Sequence, residues 1–145
     1  MAKILTFGVF DFFHLGHLRL FEKCKEYGSY LIVGIQRDEY AARCKPDQVL
    51  FYTTEERLEM IRALRVVDEA FAYDTLCDET MEMTDFDILA LGEHHKGGRF
   101  DVIEEWCYDH KKTVIRINRT PGISSSRLRG EILSQNRKNR EVKDE

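Results

Sequence analysis

Two histidines three residues apart, His14 and His17, stand in the stretch GVFDFFHLGH at residues 8–17. Imidazoles near neutral pH can carry a proton, ligate a metal or grip a phosphate. The stretch follows a short aliphatic run and precedes apolar residues at helical spacing, so it reads as a turn from strand to helix. His14 falls just before the helix and His17 in its first turn. A helix N-terminus presents unpaired amides and the positive end of the backbone dipole, which suits an anion, and a triphosphate would fit there. Gly8 lets the backbone approach a ligand closely, and Gly16 eases the sharp entry into the helix. Zinc fits less well, because the pair supplies two ligands and no third stands at an identifiable spacing; His94 and His95 are distant in sequence. The plain alternative is a loop histidine that only fills a hydrogen bond.

A second stretch, RTPGISSSRLRGEI at residues 119–132, clusters hydroxyls and amides between two cations. Ser124, Ser125 and Ser126 offer an N-cap, and Arg119 and Arg127 bracket them with charge. Taken alone it could be a capped helix with exposed arginines. Beside the histidine stretch it reads as a second helix N-terminus serving the same anion.

These groups need a scaffold that brings them to one edge. Runs rich in aliphatic and β-branched residues at 3–9, 29–35, 66–73, 87–92 and 113–118 predict five strands. Between them Leu18, Phe21, Cys24 and Tyr27, then Leu58, Ile61 and Leu64, then Phe100, Ile103, Trp106 and Cys107 keep helical spacing. Gly28 stands where a left-handed helix cap is expected, and Thr53 with Glu56 forms a capping box for a helix at 54–64. A last helix is expected from 124 to about 134, anchored by Leu128 and Ile132. One domain over residues 1–135 follows, with 136–145, NRKNREVKDE, as a polar, solvated tail. Strand and helix in alternation predict an α/β fold, a mainly parallel sheet with helices on both faces.

In such a sheet ligands bind beyond the carboxyl ends of the strands. That rule selects residues 6–17, 38–45, the neighbourhood of Asp68, 92–96 and 119–126. The 22 basic and 26 acidic residues give a net charge of −4, which calls for no nucleic-acid partner. No apolar run reaches the ~18 residues of a membrane span, and the first residues lack a signal-peptide core. The four cysteines are dispersed, with no CxxC, and fit unpaired thiols in a reducing cytoplasm.

The two stretches together resemble the nucleotidyltransferases that carry an HxGH signature near the start and an Arg-Thr-x-Gly-Ile-Ser signature near the end. The resemblance is to the cytidylyltransferase branch, above all the glycerol-3-phosphate cytidylyltransferases. It runs from Lys3 to about Ile132 and takes in RDEY at 37–40, EERLEMIRALRVVDE at 55–69 and LGEHHKGGRFD at 91–101. It implies a Rossmann-like three-layer α/β/α fold with a five-stranded sheet, and usually a homodimer.

By resemblance, Thr6, Phe7, Gly8, Val9 and Phe10 line the triphosphate with backbone contacts, and His14 and His17 act on its phosphates and on the transition state. Asp11 sits near the reacting group or orients the loop. Lys45 reaches over the phosphates, while Asp38, Lys45 and Arg65 serve the acceptor side. Gly92 and Glu93 lie near the cytidine or ribose. Arg119, Thr120, Gly122, Ile123 and Ser124 to Ser126 complete the nucleotide pocket. Departures from the family pattern are Val9 where threonine is usual, Glu93 where aspartate is common, a single lysine in KPD at 45–47, and the pair His94 and His95.

The implied reaction transfers CMP from CTP to a small phosphorylated acceptor, with Mg²⁺ carried on the triphosphate. Glycerol 3-phosphate is the first candidate; phosphoethanolamine, phosphocholine, a sugar phosphate or a phosphonate are the others. An adenylyltransferase of the FAD synthetase type shares the first signature. A nucleotide-binding module without turnover is the reading from another class.

Overall fold

The computed structural model describes residues 2–44, 50–118 and 125–144. Eleven elements follow in chain order: β1 (Lys3–Gly8), α1 (Leu15–Tyr27), β2 (Tyr30–Gln36), α2 (Asp38–Cys44), α3 (Thr54–Arg62), β3 (Glu69–Tyr73), α4 (Asp78–Met81), β4 (Ile88–Gly92), α5 (Arg99–Asp109), β5 (Thr113–Ile117) and α6 (Ser125–Asp144). The strands form one sheet in the order β3-β2-β1-β4-β5, and all four pairings are parallel.

The strands are near-continuous apolar runs because both faces of the sheet are covered. Ile4, Leu31, Val33 and Ile35 pack on one face with Phe21 and Cys24 of α1 and Ile61 of α3. Leu5, Phe7, Ile32, Leu89 and Leu91 pack on the other with Met81 of α4 and Ile103, Trp106 and Cys107 of α5. The result is the Rossmann-like three-layer sandwich expected. Burial pushes the Cys24 thiol up to about 12 and the Cys107 thiol up to about 11, so both are inert apolar filler; Cys24, Cys77 and Cys107 are unpaired.

From β1 the chain winds outward through β2 and β3, then crosses to β4 and β5 on the other side. The winding therefore reverses between β1 and β4. Such a reversal is where a parallel sheet forms its ligand crevice, at the carboxyl ends of the strands, and there Gly8 and Gly92 finish neighbouring strands at one level, two residues past the Thr6–Ala90 pairing.

Several expectations are corrected. Gly28 is extended, at φ −171° and ψ 163°, and is no left-handed cap. A glycine is needed there because an added Cβ would lie 2.6 Å from the Ala2 carbonyl oxygen. β3 starts at Glu69, since Val67 supplies its apolar signal by burying into the core from the preceding turn. The turn before β3 also carries Arg65 and Asp68 to the amino-terminal edge of the sheet, where Asp68 bonds Leu31 at the start of β2. Helix α6 continues to Asp144, ten residues past its expected end and through the stretch read as a tail. Leu128 and Ile132 face a cleft of about 470 Å³ shared with Phe12, Phe13, Tyr52, Met60 and Leu64.

Candidate active site

The turn after β1 is built by its own histidines. His14 is the N-cap of α1, and its Nδ1 accepts from the Gly16 amide at 3.0 Å. His17, in the first turn, accepts from the His14 amide through Nδ1 at 3.3 Å. The arrangement is a capping box in which two imidazoles replace the usual hydroxyl and carboxylate. The rings stack 3.8 Å apart at 22°. With Nδ1 accepting on both rings, the neutral tautomer carries its proton on Nε2, so Nε2 is the donor end of each. Two donors thus stand side by side at the positive end of α1, in the crevice where the winding reverses.

The residues before them are held in a costly conformation. Phe10 and Phe12 have φ of +56° and +50°, a region that bulky side chains rarely enter. Phe10 is held there by burial, with its ring edge-on to Phe21 at 5.1 Å and to His17 at 5.2 Å. Gly8 makes room for that ring: a Cβ on it would lie 2.7 Å from the phenyl tip. Between the two phenylalanines Asp11, 3% exposed, accepts from the Phe51 amide at 2.9 Å and the Tyr52 amide at 3.1 Å. These two bonds tie the β1–α1 loop to the segment before α3. Thr6 turns its hydroxyl to the Ala90 carbonyl at 3.1 Å and Phe7 buries its ring against Phe71 and Tyr73, so only their backbones can face the crevice.

Sequence reasoning missed Arg57. Its fully buried guanidinium donates to the carbonyls of Val9 and Gln36, both at 2.8 Å, and of Tyr52 at 3.3 Å, and pairs with the Asp38 carboxylate. A signal was available: Arg57 sits four residues before Ile61, on the inward face of α3. Asp38 follows β2 at the carboxyl edge, and its carboxylate also accepts from the Thr54 hydroxyl at 2.9 Å, so its observed partners are internal.

At the end of β4, the Gly92 amide donates to His95 Nδ1 at 3.1 Å, and the His95 ring stacks flat on Phe100 at 4.6 Å. Arg116 closes this turn through the His95 carbonyl at 2.5 Å and is held by Glu104 at 2.6 Å. Glu93 and His94 are exposed and lie 3.7 Å apart. One chain thus brings together the backbone of 8–10, His14, His17, Asp11, Asp38 and the Gly92 turn at one edge. Arg65 is exposed at the opposite edge, apart from these residues within one chain. Lys45, Arg119, Thr120, Gly122, Ile123 and Ser124 lie outside the described residues; Ser125 and Ser126 open α6.

A family model described as cytidylyltransferase-like matches residues 5–131, most of the chain. The chain belongs to the cytidylyltransferase-like family. Among curated relatives, the glycerol-3-phosphate cytidylyltransferase of Bacillus subtilis (strain 168) is 30% identical over 134 residues, covering 91% of this chain and 98% of that protein. The FAD synthase of Picrophilus torridus is 34% identical over 138 residues, covering 90% and 96%. Among solved structures, a lipopolysaccharide core biosynthesis protein from Thermoplasma volcanium superposes with a TM-score of 0.67 at 27% identity, covering 83% of this chain and 97% of that one. As a cytidylyltransferase-like protein the chain is a nucleotidyltransferase.

Proposed function

We propose that this enzyme transfers CMP from CTP to glycerol 3-phosphate, forming a CDP-linked product and pyrophosphate. The observation that carries the reading is the stacked His14–His17 pair, with both Nδ1 atoms engaged in the helix cap and both Nε2 ends as donors at the N-terminus of α1. An oxygen of the acceptor phosphate attacks the α-phosphorus of CTP. The bond from that phosphorus to the bridging oxygen breaks, and pyrophosphate carries the electron pair away. The chain's work is to hold two polyanions in line and to neutralise the charge that builds on the α-phosphate and leaving group. His14 and His17 supply donors for that charge, with Lys45 and Arg119 proposed to add theirs. The backbone of 8–10, Gly16, Gly92, Glu93 and the Arg-Thr-x-Gly-Ile-Ser stretch are proposed to hold the nucleotide, with Asp11 and Asp38 orienting the loops toward the acceptor. Among the described residues no group of three or more His, Cys, Asp or Glu is placed to hold a metal. A Mg²⁺ carried with the triphosphate is proposed, and it would supply neutralisation of the phosphate charge.

The name of the first relative supports glycerol 3-phosphate, and the likeness to the FAD synthase gives adenylyl transfer from ATP as the second reading. Pyrophosphate release with CTP or ATP, each against a panel of phosphorylated acceptors, separates them. Turnover with CTP and glycerol 3-phosphate is expected; turnover with ATP and FMN instead would replace the reading. A cytoplasmic homodimer is proposed alongside. Among the described residues no helix is long and apolar enough to cross a membrane.

A further inference from the structure

We propose that Arg57 is a positioning residue for nucleotidyl transfer, fixing the β1–α1 loop, and through it the two histidines, to the end of β2. Every N–H of its guanidinium has a partner: Nη1 the carbonyls of Val9 and Gln36, Nη2 the Asp38 carboxylate and the Thr54 hydroxyl at 3.4 Å, and Nε the Tyr52 carbonyl. These partners lie at the carboxyl edge, in the three segments that converge beside the crevice. Val9 leads directly into the left-handed Phe10, so holding its carbonyl sets the turn that delivers Asp11 and then His14. Tyr52 is gripped twice, its amide by Asp11 and its carbonyl by Arg57, so the loop and the segment before α3 are closed on each other from both sides.

The location disfavours a cation on stability grounds alone. Arg57 follows the N-cap Thr53 by four residues, at the positive end of α3, where a carboxylate would be the favoured charge. It is also 0% exposed, and its ion-pair partner among the described residues, Asp38, has a side chain 45% exposed. A buried guanidinium held mostly by backbone carbonyls adds geometric definition more than stability. A planar fork can set the spacing of Val9 and Gln36; a point-charge ammonium cannot.

The test is Arg57→Lys, which keeps the charge and loses the fork. The expected result is a folded protein whose kcat falls about 10- to 100-fold, as about 1 Å of misplacement predicts. KM for the triphosphate should change by less than about threefold. The imidazole ¹⁵N resonances of His14 and His17 should shift in the substrate-free protein. A folded Arg57→Lys with wild-type kcat and unchanged imidazole signals overturns the proposal, whatever its melting temperature. If Arg57→Lys does not fold, Thr54→Val decides: removing the hydroxyl that Arg57 and Asp38 share should lower kcat severalfold and move the same imidazole signals, and no change in either overturns the proposal. The inference rests on the CTP reading only for the nucleotide assayed. Wild-type protein without turnover on CTP sinks that reading, while the imidazole signals still decide the role of Arg57.

Discussion

His17 has two roles under the proposed reading: Nδ1 accepts in the helix cap, and Nε2 is the donor proposed for the phosphates of the nucleotide. His17→Ala therefore separates a structural loss from a chemical one. Losing the bond to the His14 amide costs about 1 kcal/mol, a fall of a few degrees in Tm. Losing a donor to the transition state costs about 10²- to 10³-fold in kcat. Both are expected, read by thermal melting and by pyrophosphate release; a folded variant with kcat within threefold of wild type would remove His17 from the phosphate site. The pair was legible from sequence because H-x-x-H at a strand-to-helix turn is a local pattern. For Arg57 only the inward position could be read, from its spacing to Ile61; its partners could not, because Val9 lies 48 residues away and Gln36 21.

At the scale of elements, the loop from Gly8 to His14 is a strained bridge between β1 and α1, held at each step by a different neighbour. The Gly8 backbone admits the Phe10 ring, Phe10 packs on α1, and Asp11 binds the residues before α3. Gly8→Ala drives a methyl into that ring and should cost about 1–3 kcal/mol as overpacking. Because the same ring touches His17, kcat should fall as well; a variant with wild-type Tm and kcat would show that Phe10 can move without moving the histidine. The strands were legible because their β-branched runs end in sharp turns. α2 escaped because DEYAARC has no apolar period, and the end of α6 because NRKNREVKDE has Val142 as its one apolar residue. Its Lys, Arg and Glu still favour helix on propensity alone.

Across the whole molecule the two edges of the sheet have different work. The carboxyl edge holds a strained loop and converging donors, and the amino edge holds an ion pair that ties α1 to the turn before β3. There Asp68 bonds Lys25 of α1 at 2.5 Å and the Leu31 amide of β2 at 2.8 Å. Burial opposes ionisation of Asp68, but the Lys25 hydrogen bond, the Leu31 amide and the Lys25 charge outweigh it and hold its pKa below the ordinary value. A carboxylate depressed in the folded state binds fewer protons there than in the unfolded chain. Its stabilisation is thus complete above the unfolded pKa of about 3.9 and is lost as pH falls through the folded value. Asp68→Asn should therefore melt below wild type at pH 7, with the gap closing as pH falls below about 4. Saturated turnover well below Tm should be unchanged, because Asp68 lies across the full length of the strands from the crevice. A Tm gap constant from pH 7 to pH 3 would show that the bond does not depend on the charge of Asp68, and lost turnover in the folded variant would show that the two edges are coupled.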